Sequence, residues 1–152
     1  MLPLPIGIKN REDLSIDLKK NSFTAILLID INNFNQINEQ IGRENGDKIL
    51  DSFMKFLKKF NQNNSYDIYR LYGDGFILRE TDKEFELEKY ERDIPELLKG
   101  IEDLFSKESI KIEATVGICF EEKQALEKVD IALQYAKEHN KQFIAYSGYI
   151  LS

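Results

Sequence analysis

Two acidic residues, Asp30 and Asp74, occupy positions where a predicted strand and a predicted hairpin end. Asp30 comes at the C-terminal end of the apolar run Phe23–Ile31, and Asp74 lies in the Gly-Asp-Gly turn of the segment LYGDGF. If the two strands are neighbours, both carboxylates fall on the same edge of the sheet. Two hard oxygen ligands placed together can hold Mg²⁺, which usually takes one or two carboxylates together with water and phosphate oxygens. Such a site suits in-line phosphoryl transfer, because metals stabilise the attacking and leaving oxygens.

Each of these acidic residues also has a simpler explanation. Asp30 could cap the helix that follows it. Asp74 could fill a hairpin turn, since glycine supplies positive φ without steric cost and aspartate tolerates turn geometry. Either explanation suffices for one residue alone, and the joint placement of the two carboxylates is what favours a metal site.

The composition limits the classes of function. A chain of 152 residues, 42% hydrophobic and 32% charged, has the size of one globular domain, and we expect a single domain over 1–152. The net charge of -6 disfavours a nucleic-acid groove, which needs clustered Lys and Arg. One cysteine, Cys119, and one histidine, His139, exclude an intramolecular disulfide and a Cys/His zinc cluster. With no apolar run of roughly 18 residues and no secretory signal, the sequence predicts a cytoplasmic protein without membrane insertion.

The hydrophobic periodicity predicts an α/β (α+β) fold, in which helices flank a mixed central β-sheet that carries an antiparallel hairpin. Pro95 predicts an interruption in one helical pattern, because proline removes a helical hydrogen bond. The residues before the first helix are predicted to form a loop. In chain order the predicted elements are a helix over 11–20, a strand over 23–31, helices over 32–42 and 44–60, strands over 66–72 and 76–80, a helical pattern over 83–106, a strand over 109–120, a helix over 125–140 and a strand over 143–150.

Several motifs, in the right order, resemble those of the GGDEF domains of diguanylate cyclases, which condense two GTP molecules into cyclic di-GMP on a palm-like α/β fold. PIGIKNR stands where the family has LTGLxNR. LLIDINNFNQINEQIGRENGDKIL is similar to the metal strand, the guanine-contacting helix and the GD turn, and RLYGDGF falls where the signature hairpin belongs. TVGI and VDIALQYAKEHNKQ are similar to the later strand and to the AD-x-AL-Y-x-AK-x-x-GRN helix. The resemblance covers nearly the whole chain and implies the palm-like nucleotidyl cyclase fold.

This resemblance implies a metal site and a guanine site. Asp30 and Asp74 would ligate Mg²⁺, two ions in a catalytic site, with the backbone carbonyl of Ile31 assisting. Asn38 and Asp47 would hydrogen-bond guanine. A carboxylate suits that base because it accepts from the ring N–H and the exocyclic amine together, a pattern that adenine does not present.

The resemblance also implies contacts with the triphosphate. Lys137 and Lys141 would pair with its oxygens, although Lys137 and Asn38 could also be ordinary solvated helix positions. Asn35 stands where the family usually has a lysine aimed at the phosphates. Losing one such charge-assisted bond costs on the order of 1.5–3 kcal/mol, roughly ten- to a hundredfold in affinity, which nucleotide binding could survive.

The signature hairpin departs from the family at two of its five positions, reading Tyr72 to Phe76 (YGDGF) where the family has Gly-Gly-Asp/Glu-Glu-Phe. Tyr72 and Gly73 occupy the positions of two glycines that let the backbone approach substrate phosphates, so the phenol ring could crowd the triphosphate. Gly75 replaces the acidic fourth residue and removes one carboxylate from the catalytic edge. Each such preorganised group can contribute a factor of about 10²–10³ to the rate. We therefore expect the changed hairpin to lower turnover more than nucleotide binding.

A product-binding site of the family uses Arg-x-x-Asp just before the hairpin, where this chain has Asn-Asn-Ser-Tyr over 63–66. We therefore expect feedback inhibition through that site to be absent. The family joins two domains face to face, each presenting one GTP, which implies a homodimer or a protein partner.

Three functional hypotheses follow. The first is a degenerate GGDEF domain that binds GTP and Mg²⁺ and acts in cyclic di-GMP-related regulation with weak or no catalysis. The second is an active diguanylate cyclase, in which Asp30 and Asp74 are the catalytic metal ligands and a metal-polarised 3′-hydroxyl attacks the neighbouring α-phosphate. The third is a purely structural domain, which the retained guanine pair disfavours.

Overall fold

Helices and strands alternate along most of the chain. The computed structural model describes residues 4–20, 22–23, 25–63, 65–81, 87–147 and 149–151. The strands are β1 Ile8–Lys9, β2 Ala25–Ile31, β3 Tyr66–Tyr72, β4 Gly75–Glu80, β5 Ala114–Cys119, β6 Phe143–Ser147 and β7 Tyr149–Leu151. The helices are α1 Arg11–Lys20, α2 Phe34–Ile41, α3 Arg43–Phe60, α4 Leu87–Leu104 and α5 Ala125–Glu138.

The seven strands of the described ranges form one mixed sheet in the order β1-β3-β4-β2-β5-β6-β7. Strand β2 lies at the centre, antiparallel to both β4 and β5, and is buried over its whole length. Because β2 and β4 run in opposite directions, the end of β2 lies beside the start of β4, with Asp30 facing Gly75. The predicted mixed sheet with a central hairpin is confirmed, and the hairpin turn lies at the same edge as Asp30.

Helices cover both faces of this sheet. Successive residues of a strand point to opposite faces, so β2 contributes to two separate cores. Leu27 and Ile29 pack in a cluster shared with α2, α3 and α4, whereas Ile26 and Leu28 pack in a cluster shared with α1 and α5. Asp30 continues the second set and therefore lies on the face that α1 and α5 cover.

Helix α4 continues through Pro95, so the predicted interruption there is wrong. Pro95 and Glu91, whose carbonyl loses its helical partner, are both exposed, which lets water satisfy that carbonyl. On the opposite side of the helix, Ile94, Leu97 and Ile101 are buried. Burial of three such side chains, at about 1.5–3 kcal/mol each, outweighs the roughly 3 kcal/mol that an interior proline costs.

Other differences from the predicted elements fall at short segments. The single strand predicted over 143–150 is instead the antiparallel pair β6 and β7, and residue 148 lies outside the described residues. The strand predicted over 109–120 is shorter, and the predicted N-terminal loop contains β1, in which Ile8 pairs with Ile68. A strand of two residues shows no periodicity, so sequence patterning could not detect it. Residues 83–86 of the predicted helical pattern lie outside the described residues.

Among the described residues, no helix combines the length and the apolar character that a membrane span requires.

Candidate functional site

The candidate site lies on neighbouring strands at one end of the sheet. Asp30 of β2 faces Gly75 of β4 on one side and Thr115 of β5 on the other, and Gly75 in turn faces Tyr72 of β3. Residues directly opposite each other in a ladder project to the same side of the sheet. The strands therefore bring Tyr72, Asp30 and Thr115 onto the face that α5 covers.

Asp74 lies next to Asp30 because the turn is held against the end of β2. The Ile31 amide donates a hydrogen bond to the Asp74 carbonyl at 3.3 Å, and the Asp74 carboxylate lies close enough to Asp30 to raise its pKa. Arg70 fixes the turn from within β3, where its Nε and Nη2 donate to the Gly73 carbonyl at 3.2 and 2.9 Å. The predicted convergence of the two carboxylates is present, whereas the contribution of Arg70 escaped sequence analysis. A basic residue shortly before a turn was the one available signal.

Asp30 is a buried charge with one strong counter-charge. Lys137 of α5 donates a hydrogen bond to its Oδ2 and forms an ion pair with it. Burial and, after it, the neighbouring Asp74 raise the pKa of Asp30, Lys137 opposes the shift, and the net pKa is about 7. The other oxygen, Oδ1, is buried and has no hydrogen-bond partner.

The unpartnered Oδ1 of Asp30 fits a divalent cation better than it fits a purely structural role. A buried carboxylate oxygen without a partner is costly, and a hard cation coordinated there would remove that cost. Asp74 supplies a second carboxylate, and Ile31 ends the same strand. The described residues contain no cluster of three or more His, Cys, Asp or Glu side chains suited to a metal. Water or ligand oxygens would therefore have to complete the coordination, as is usual for Mg²⁺.

A cavity of about 340 Å³ opens beside this site, between the start of α2, β5 and the end of α5. It combines two cations, Lys137 and Lys141, with backbone donors at the start of α2, where Asn33 adopts a left-handed conformation and makes no side-chain cap. Uncapped helical N–H groups and lysines favour anions such as phosphate. The lining residues are Asn32, Asn33, Glu113, Ala114, Thr115, Ala136, Lys137, Asn140, Lys141 and Gln142.

Hydrogen bonds order the loop after β2 that borders this cavity. The Thr115 hydroxyl donates to Asn32 Oδ1 at 2.7 Å, and the backbone N–H of Asn32 donates to the Glu113 carbonyl at 2.8 Å. Sequence analysis did not single out Asn32, Asn33 or Thr115. The pair of asparagines between a buried strand and a helix was the available signal, because asparagine tolerates left-handed geometry.

Asn38 of α2 contacts α3 at Gly46, the residue before Asp47. A β-carbon added to Gly46 would come under 3.0 Å from Oδ1 and Cγ of Asn38, so the Asn38 amide packs directly on the residue that precedes Asp47. Oδ1 of Asn38 is buried without a hydrogen-bond partner. Asn38 thus lies against the residue that precedes Asp47, whereas Asn35 lies exposed on α2, and the guanine site stays a prediction.

The turn does not use its glycines as the sequence suggested. Of the glycines in the described residues, Gly7 and Gly42 have positive φ, and neither Gly73 nor Gly75 does. The β3–β4 ladder instead shifts register between Arg70 and Tyr72, which accommodates the reversal. The positive φ that a simple hairpin turn would take from glycine is therefore absent at both positions.

Tyr72 points into the site, a matter that sequence left open. The residue is 41% exposed. Burial, followed by the nearby carboxylates of Asp30, Asp130 and Asp74, raises the pKa of the phenol to about 12, so the ring stands neutral among acidic groups.

The segment over 63–66 lies away from these residues, on a second cavity of about 530 Å³ between α3, α4 and the start of β3. Asn63, Ser65 and Tyr66 line that cavity, and residue 64 lies outside the described residues. Asn61 holds the end of the segment by accepting from the Tyr66 amide at 3.0 Å and donating to its carbonyl at 2.7 Å. The absence of a product-inhibition site stays a prediction.

Comparison with known protein families agrees with this geometry. The family model described as "Diguanylate cyclase, GGDEF domain" matches residues 9–142. This chain belongs to the GGDEF family. The resemblance inferred from the motifs is confirmed, and with it membership of the diguanylate cyclase family associated with cyclic di-GMP metabolism.

Relatives and solved structures bear out the fold of this GGDEF chain. It is 29% identical over 138 residues to "Signaling protein YkoW" of Bacillus subtilis, covering 83% of this chain. The GGDEF domain of DgcB from Caulobacter crescentus, solved in complex with c-di-GMP, matches with a TM-score of 0.73 at 14% identity over 90% of each chain. Diguanylate cyclase SiaD from Pseudomonas aeruginosa, solved with its activator SiaC, matches with a TM-score of 0.69 at 19% identity over 88% of this chain and 56% of SiaD. The GGDEF chain spans 17% of the length of YkoW and 38% of the length of a second relative, "Uncharacterized membrane protein SERP0413" of Staphylococcus epidermidis, to which it is 24% identical over 140 residues.

Proposed function

We propose that this GGDEF domain binds GTP together with Mg²⁺ and acts in cyclic di-GMP-related regulation with weak or no turnover. The observation that carries the proposal is the buried carboxylate of Asp30, which touches Asp74 and Lys137 and keeps one oxygen unpartnered. A purely structural domain would have no use for such an oxygen, since an unsatisfied buried acceptor costs about 1–3 kcal/mol. GTP and Mg²⁺ are abundant in the cytoplasm, where we place the domain.

The proposed metal site consists of Asp30, Asp74 and the carbonyl of Ile31. A divalent cation held there would neutralise the carboxylate pair and polarise phosphate oxygens. Lys137 now provides the positive charge beside Asp30, and it also lines the adjoining cavity. On cation binding we expect Lys137 to exchange its carboxylate partner for a phosphate oxygen, together with Lys141.

The guanine site consists of Asn38 and Asp47. The Asn38 amide is seated on Gly46, which fixes its position next to the helix turn that carries Asp47. A carboxylate there accepts from two guanine donors at once, and adenine offers no such pair. We therefore expect a preference for GTP over ATP.

Weak turnover follows from the groups that this chain lacks. Position 75 has no carboxylate, position 35 has no cation and the Tyr72 ring lies among the acidic groups of the site. Preorganised charges of this kind can each contribute about 10²–10³ in rate. The loss is larger for turnover than for binding because these groups act where charge develops in the transition state.

An active diguanylate cyclase is the second candidate. The contact between Asp30 and Asp74 favours it, because the two presumed metal ligands are the groups that catalysis can least replace. Condensation of two GTP molecules would also require a second domain facing this one. We propose a homodimer or a protein partner for that role, and the complex of SiaD with its activator SiaC gives one precedent within the fold.

One experiment distinguishes the two candidates. The purified protein at high concentration is titrated calorimetrically with GTP and with ATP in the presence of Mg²⁺, and a parallel incubation with GTP is analysed by chromatography and mass detection. We expect saturable GTP binding, weaker ATP binding and no cyclic di-GMP above an Asp74→Ala control. Product above that control would establish the cyclase, and absence of GTP binding would refute the nucleotide site.

A further inference from the structure

The two departures from the signature hairpin, Tyr72 and Gly75, are in direct contact. A β-carbon built on Gly75 would lie under 3.0 Å from three atoms of the Tyr72 ring, namely Cδ2, Cε2 and Cζ. Real β-carbons essentially never approach ring atoms so closely. The ring therefore occupies the space into which a side chain at position 75 would extend.

That space belongs to the metal site. Gly75 faces Asp30 across one ladder and Tyr72 across the next, so a side chain at position 75 would project to the same face as both neighbours. A carboxylate at position 75 would then stand in a row with Asp30. In this chain the same place holds a neutral phenol ring.

Backbone geometry does not explain the glycine at position 75. Gly75 has no positive φ, and it is the first residue of β4, where it pairs with Asp30 on one side and Tyr72 on the other. A glycine in a strand often marks a place where another group approaches the backbone closely. Here the approaching group is the ring of Tyr72.

We propose that Tyr72 and Gly75 act as a matched pair that limits the site to a single divalent cation. The inference rests on the proposed function and gives it a stoichiometry. The charges of Asp30 and Asp74 together balance one Mg²⁺, and the ring takes the place from which a third carboxylate would help to hold a second ion. Among the described residues no third acidic side chain joins the pair in a metal-type cluster.

The space taken by the ring and the charge of a carboxylate can be changed independently by substitution. Tyr72 is half-exposed, so its ring can turn towards water. An acidic side chain at position 75 would have to displace the ring before it could reach a cation. Removing the ring alone would add no ligand. Only the two changes together would supply both the space and the carboxylate.

The test counts bound Mn²⁺ by equilibrium dialysis with α,β-methylene-GTP present at equal concentration on both sides of the membrane. Wild type is compared with Tyr72→Gly, Gly75→Glu and the Tyr72→Gly/Gly75→Glu double variant. Tyr72→Gly/Gly75→Gln is the matched control, because glutamine has the shape of glutamate without its charge. Thermal denaturation with EDTA verifies that every variant is folded.

We expect one Mn²⁺ per chain for wild type, Tyr72→Gly and the glutamine control, and two for the glutamate double variant. In Gly75→Glu alone, we expect the second ion to bind at least tenfold more weakly than in the double variant. Two ions in wild type, one ion in the double variant, or equal second-ion affinity with and without Tyr72 would each overturn the inference and leave the proposed function standing. Absence of any protein-bound Mn²⁺ in wild type would overturn the proposed function as well.

Discussion

Replacing Asp30 by asparagine tests the metal site through stability, without relying on turnover. Asp30 is 6% exposed, and burial together with Asp74 raises its pKa from 3.8 to about 7. Because the folded pKa lies above the unfolded value, the charged carboxylate destabilises the fold as the pH rises from 3.8 through 7. At about 1.36 kcal/mol per pKa unit, the cost at pH 8 is about 4 kcal/mol.

Asparagine removes that cost but not all burial penalties. A buried amide with incomplete hydrogen bonding still costs about 1–3 kcal/mol. Lys137 loses its partner, but its side chain is 31% exposed and can turn to water. We therefore expect Asp30→Asn to raise the free energy of unfolding by about 1–3 kcal/mol at pH 8 in the absence of metal, equivalent to about 2–4 °C in Tm per kcal/mol.

The assay is thermal denaturation at pH 8 with EDTA and again with Mg²⁺ and GTP. Ligands should raise the Tm of wild type and leave the Tm of Asp30→Asn unchanged. Asp103→Asn is the control, since Asp103 is an exposed acid on α4 outside the site, and its stability should change by less than about 0.5 kcal/mol. A lower stability of Asp30→Asn in EDTA, or a ligand-induced rise equal to that of wild type, would refute the assignment of Asp30 as a buried metal ligand.

Three further substitutions probe the phosphate, guanine and turn contacts. Lys137→Met should weaken GTP binding by roughly ten- to a hundredfold in calorimetry, since it removes a charge-assisted bond of about 1.5–3 kcal/mol, and unchanged affinity would exclude a phosphate contact. Gly46→Ala should keep the fold, because alanine favours helix. The added methyl group should displace Asn38 and lower the ratio of GTP affinity to ATP affinity, and an unaltered ratio would contradict the guanine assignment. Arg70→Met should lower the free energy of unfolding in urea by about 1–3 kcal/mol, because two hydrogen bonds to the Gly73 carbonyl are lost, and a change within error would show that the turn holds itself.

The relation between Tyr72 and Gly75 changes how the altered hairpin is understood. Sequence alone presents two independent substitutions in a signature, each of which removes a feature of the family. The contact between the ring and the Gly75 backbone makes them one structural unit, since each is compatible with the other. A single reversion at either position would therefore not restore the family arrangement, and the double variant is the informative one.

Much of this protein was determined by its sequence. Continuous apolar character made β2 a central strand, helical spacing located the main helices, and a strand end and a turn placed Asp30 and Asp74 on one edge. These features are local, because periodicity and turn chemistry act within a few residues along the chain. The ordered motifs added family membership, which the match over residues 9–142 confirms.

Other features depended on tertiary contacts between distant parts of the chain. Burial of Ile94 and Leu97 stabilises α4 as one helix despite Pro95. Strand β1 forms because Ile8 pairs with Ile68 of β3. The ion pair between Asp30 and Lys137 joins residues 107 positions apart, and sequence spacing does not predict contacts over such a separation. The seat of the Tyr72 ring on Gly75 likewise depends on the register of β3 against β4. The sequence by itself thus determined which groups could form a site, and the packing of strands and helices decided which of them touch, because local propensity contains no information about distant neighbours.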